Sequence, residues 1–107
     1  MKPVNILVIG RHPQIMETVL RLLNGQPDWQ AQGALTDDHA QQLFYSATFH
    51  LVLIGGGVDD ESERKLRDTF VALRPETRII RHFGGGSGLL FNEIRQALES
   101  VKRETEV

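Results

Sequence analysis

The sequence predicts an α/β domain built on a parallel sheet, and three observations carry that expectation. Strand-like apolar runs alternate four times with helical patterns, the order in which strand-helix units lay helices on both faces of one sheet. The first and third runs, Val4–Ile9 and Leu51–Ile54, are nearly all Val, Ile and Leu, as befits strands buried on both sides. A chain of 107 residues, finally, is long enough for one core and too short for two.

The elements follow in order. After the first strand, Pro13 suits the opening position of a helix over residues 13–23, with Ile15, Met16, Val19, Leu20 and Leu23 as its apolar stripe. Asn24-Gly25 supplies a left-handed stop. The second strand, Trp29–Ala34, alternates and reads as an edge. Thr36 or Asp37 caps a second helix that turns Ala40, Leu43, Phe44 and Ala47 inward. A third helix opens on Asp59, Asp60 and Glu61, buries Leu66, Phe70 and Leu73, and closes before Pro75. A fourth strand over 78–82 leads through a glycine-rich stretch into a last helix carrying Leu90, Ile94, Ala97, Leu98 and Val101. The domain spans 1–102, and 103–107 form a frayed tail. There is no linker and no low-complexity segment.

Composition narrows the function. Apolar residues make up 40% and charged residues 24%, an ordinary globular balance, and the formal net charge of −2 argues against generalised binding to nucleic acid or anionic membranes. With no cysteine there are no disulfides, no zinc-thiolate site and no thiol nucleophile. No apolar run reaches membrane-spanning length, and "MKPVN" lacks a signal-peptide profile, so a cytoplasmic protein is expected.

In a parallel sheet, ligands gather outside the carboxyl ends of the strands. Those ends are Gly10-Arg11-His12, Gly55-Gly56-Gly57 and Arg81-His82. The segments "ILVIGRHPQIMETVLRLL", "PDWQAQGAL" and "DDHAQQLFYSATFHLVLIGGG" resemble the receiver domain of bacterial response regulators over roughly the first 60 residues. The resemblance implies a flavodoxin-like, three-layer α/β/α fold with four strands in the order 2-1-3-4. It also implies a site, and the sequence departs from it. The paired acids that hold Mg²⁺ in the family fall on Gly10 and Arg11, and the phosphorylated aspartate falls on Gly55. Magnesium needs hard oxygen ligands, and phosphoryl transfer needs an acceptor. The family has five strand-helix units where four are found here. Arg81 or His82 stands where the family carries a hydroxyl, unless "RHF" instead mimics the Lys-Pro-Phe that follows the family's fifth strand.

Each feature has a functional and a plain reading. Arg11, with Arg81 and His82, inverts the charge of the crevice and makes it anion-attracting; the plain reading is a surface arginine left after a metal site decayed. Gly56, Gly57, Gly85, Gly86 and Ser87 would add amides for a phosphate, or merely close a deletion with Ser87 as cap. His12 is a helix cap or a phosphoryl acceptor. Trp29 and Tyr45 read as packing residues, His39 and His50 as surface or strand-edge residues. Strand four is left as an open edge, so a homodimer through strand four or the last helix is expected. The reading that results is a non-phosphorylatable receiver-like domain of bacterial signalling, not an enzyme, with no metal or cofactor, acting through contacts with a signalling protein. The alternatives are an anion or nucleotide sensor built on Arg11 and the glycine loops, and a phosphohistidine carrier through His12.

Overall fold

The computed structural model describes residues 3–82 and 87–106, with side chains for 3–82 and 88–99. Its elements are β1 (Val4–Ile9), α1 (Pro13–Asn24), β2 (Trp29–Ala34), α2 (Asp37–Ser46), β3 (Leu51–Ile54), α3 (Asp60–Leu73), β4 (Arg78–Arg81) and α4 (Ser87–Glu106). The four strands are all parallel, in the order β2-β1-β3-β4. Fold class, strand order and the four-unit count are those expected.

Register decides which side chains share a face. Ile6 pairs with Leu51 and Val8 with Leu53, and all four point to the layer holding Met16 and Leu23 of α1 and Leu90 and Ile94 of α4. Leu7 pairs with Val52 and Ile9 with Ile54, and these point to Ala40 and Phe44 of α2 and Leu66 and Phe70 of α3. Period-two alternation in fully apolar strands thus fills two cores at once. The second core centres on Phe44, whose ring stacks on Phe70 at 4.1 Å and lies 6.5 Å from Phe49.

Edge strand β2 alternates as expected, with Trp29, Ala31 and Gly33 half-buried toward α1 and Gln30 and Gln32 exposed. A Cβ at Gly33 would stand 2.5 Å from the Met16 sulfur, so glycine here is what lets the Met16 side chain lie against the strand. Trp29 packs as expected: its ring sits 6.1 Å from Phe91 of α4, and the Arg95 guanidinium lies over both rings. The last helix therefore spans its face of the sheet, from β4 to β2.

Several local expectations are corrected. Gly25 ends α1 in right-handed geometry, φ −74°, so the stop is not left-handed; the Asn24 side chain instead clamps the backbone of Ala31 in both directions. Ile15 is 61% exposed and Leu73 45% exposed, because each lies at the rim of its helix's apolar arc rather than at its centre. Tyr45 is 55% exposed and is not a core residue. β4 ends at Arg81, although the His82 amide still donates to the Ile54 carbonyl. Helix α4 runs to Glu106, into the stretch expected to fray; Lys102 and Arg103 suit a helix carboxyl end. Thr36 and Asp59 cap α2 and α3 as their sequences imply, accepting from the amides of His39 and Ser62.

Candidate functional site

Three strand ends lie side by side at the carboxyl edge. The Gly10 amide donates to the Ala34 carbonyl at 3.0 Å, Gly55 to Ile9 at 2.8 Å and His82 to Ile54 at 2.9 Å. The residues singled out in sequence, Gly10-Arg11-His12, Gly55-Gly56-Gly57 and Arg81-His82, are thus brought together.

Their charges are already committed. Arg11 reaches sideways, not into the crevice. Its guanidinium donates to the Asp37 carboxylate at 2.5 Å and to the Leu35 carbonyl at 3.1 Å. Asp37 stands in the first turn of α2, where the helix dipole also favours a negative charge. Arg11 is therefore neither a loose surface residue nor an open anion hook. Arg81 makes the mirror-image tie on the other side: it pairs with Glu63 of α3 and donates to the Val58 carbonyl at 2.8 Å. His82 Nδ1 lies 3.0 Å from the Glu93 carboxylate of α4.

Glu63 is the best-held acid of the rim. Burial raises its pKa, but the hydrogen bonds from Arg67 and Arg81 outweigh that and hold it below the usual value. Asp59 is lowered by the hydrogen bonds of its cap to Ser62, with smaller help from the fields of Arg11 and Lys65.

His12 occupies the cap position of α1, yet its side chain makes no cap hydrogen bond, which corrects the capping expectation. Its ring instead lies against the Gly57 loop, where a Cβ would stand 3.5 Å from the imidazole. Gly56 and Gly57 have no left-handed φ and would meet nothing closer than 3.5 Å, so neither conformation nor packing requires glycine there. Gly55 differs. A Cβ at 55 would stand 3.2 Å from the Ile9 carbonyl oxygen, a tight contact that the backbone would have to relieve by a few tenths of an ångström. Gly85 and Gly86 lie outside the described residues, as does the Ser87 side chain. Among the described residues, no three His, Asp or Glu side chains gather as metal ligands, and no helix is long and apolar enough to cross a membrane.

Behind this rim, between α1 and α4, opens a cavity of about 460 Å³. Val8, Met16, Val19, Leu53 and Leu90 form its apolar walls, and Arg11, His12 and His82 stand at its polar side.

Sequence reasoning missed Asp37, Glu63 and Glu93 as partners. Asp37 carried only the signal of a helix start and Glu63 stood out for nothing, and the partners of Arg11 and Arg81 lie 26 and 18 residues away in sequence. The usable signal was position: an acid in the first turns of a helix that starts beside a strand-end cation.

No protein-family model and no curated protein matches the sequence. Solved structures are similar in fold. A chain of the crystal structure of histidine kinase ThkA in complex with response regulator protein TrrA superposes with a TM-score of 0.68 at 18% identity, covering 94% of this chain and 98% of that one. The signal receiver domain of an HD domain-containing protein from Pseudomonas fluorescens Pf-5 gives 0.65 at 18% identity, covering 99% and 94%. A pilus assembly-related protein from Burkholderia pseudomallei K96243 gives 0.62 at 18% identity, covering 94% and 87%. The chain has the receiver fold over nearly its full length.

Proposed function

We propose that this chain is a receiver-like signalling domain that works without aspartyl phosphorylation and acts through contacts with other proteins. The observation that supports this most is the Arg11–Asp37 pair. Where the resemblance puts a metal-holding acid, a cation is neutralised within the fold, leaving that position no oxygen to offer Mg²⁺. Gly55, at the place of the acceptor, has no carboxylate to phosphorylate, which points the same way. Support for a protein partner comes from TrrA, a fold neighbour described in complex with a histidine kinase.

The setting we assign is bacterial signalling or transcriptional control in the cytoplasm, with no enzymatic activity and no cofactor. Self-association is assigned to the last helix and not to strand four. The outward Ile79 carbonyl of β4 accepts from Arg67 at 3.4 Å, which occupies a backbone acceptor that a second strand would need. The anion-sensor reading is weakened, since Arg11 and Arg81 each already hold a carboxylate.

Incubation with acetyl phosphate and Mg²⁺, followed by intact-mass spectrometry, tests the proposal. No phosphoryl adduct is expected, and no beryllofluoride–Mg²⁺ complex. A hydroxylamine- and alkali-labile adduct on an aspartate would overturn the proposal, and an acid-labile, alkali-stable one lost in His12→Ala would replace it with the phosphohistidine reading.

A further inference from the structure

We propose that the cavity between α1 and α4 binds a small amphiphilic carboxylate, an aliphatic chain of medium length with its head group at His12. The argument begins with place. The cavity is floored by Val8 and Leu53 and opens beside Gly10 and Gly55, so it lies outside the carboxyl ends of β1 and β3. From β1 the chain crosses to β2 on one side, and β3 pairs on the other; that is the switch in strand order where open α/β sheets hold ligands.

Size and lining set the ligand class. A volume of about 460 Å³ falls within the range of small-molecule sites, which are apolar with a few convergent polar groups. The walls are supplied by Val8, Met16, Val19, Leu53 and Leu90, which suits a hydrocarbon chain and not a nucleotide. Among the described residues, the ionisable side chains along the cavity are all basic: Arg11, His12 and His82. The acids that hold Arg11 and His82, Asp37 and Glu93, are not among its lining residues. The complement of such a surface is an apolar tail ending in one negative charge. Because Arg11 is engaged with Asp37, the attraction is modest and the tail must supply most of the affinity.

A separate observation concerns the wall. Gly56 and Gly57 line the mouth, and neither φ nor packing demands glycine at either position. Two glycines that the fold does not need raise the entropy lost on folding. What they preserve is open space and bare backbone beside the His12 ring.

Titration of the ¹⁵N-labelled full chain with decanoate below its micelle concentration, followed by NMR, tests the proposal. Saturable shifts are expected at Gly55–Gly57, Val19 and Leu90. 1-Decanol should bind at least about tenfold more weakly, as loss of a charged head group implies. Acetate and inorganic phosphate should leave these signals unmoved. Gly56→Leu, placed where the chain has room, should block the mouth and weaken decanoate about tenfold while its spectrum stays folded, and Val19→Phe should do the same from within. Shifts scattered over the surface, shifts reproduced by phosphate alone, or full binding in a folded Gly56→Leu protein would each overturn it.

Discussion

The Arg11 guanidinium lies 2.5 Å from the Asp37 carboxylate, so the turn after β1 is fastened to the first turn of α2. Both side chains are roughly 30% exposed, so solvent screens the pair, and its value is that of a partly buried charge-assisted bond. Arg11→Met should cost about 1–2 kcal/mol in urea denaturation, since the Leu35 carbonyl also loses its donor. Asp37→Asn should cost about 1 kcal/mol, and the double variant should cost clearly less than the sum. Full additivity would show that the pair contributes nothing.

Glu63 makes stability depend on pH. Its folded pKa is held below 4.5, so its contribution is fully present above that value and is lost as pH falls through the depressed folded value. In urea midpoints between pH 3 and pH 7, Glu63→Gln should be less stable than the parent at pH 7, by about 1–2 kcal/mol. The two curves should converge toward acid. Parallel curves would sink the assignment.

The glycines should divide sharply. Gly33→Val places new atoms on Met16 and should destabilise by about 1–3 kcal/mol, with part recovered by adding Met16→Ala. Gly57→Ala meets only ordinary contacts at a conformation open to alanine, and should be neutral or stabilising by up to about 1 kcal/mol. Thermal or urea melts of the variants decide it.

Arg67 guards the free edge. Its bond to the Ile79 carbonyl blocks one of the backbone groups another strand would need. Arg67→Val should therefore raise self-association in sedimentation velocity at high micromolar concentration, whereas Lys65→Val, on an exposed i,i+4 pair, should not. Equal behaviour of the two would remove the guard role.

How far the sequence was legible depended on the range of the signal. Periodicity in "NILVI" and "LVLI" needs only neighbours along the chain, and it placed both central strands to the residue. Caps at Thr36 and Asp59 are equally local, reaching three residues ahead. Gly25 misled because Asn24 found a better partner, the backbone of Ala31, seven residues on. At the site, the positions of Gly10, Arg11, Gly55 and His82 were legible because strand ends line up in any parallel sheet. Whether Arg11 faces an anion or a carboxylate was not, since that depends on how α2 docks. The cavity was invisible for the same reason: it is the space left between α1 and α4, which no single segment encodes.

The reach of α4 from Arg81's strand to Trp29 has a consequence for how the molecule is made. On the face of Ile6, Val8, Leu51 and Leu53, half of the covering layer comes from α4 alone. A chain emerging from the ribosome can complete the α2–α3 side as soon as β4 is out, but the opposite side stays greasy and open until the final helix is translated. Nascent chains halted before Leu90 should therefore be the species that chaperones hold, and release should coincide with the seating of Phe91 and Arg95 against Trp29.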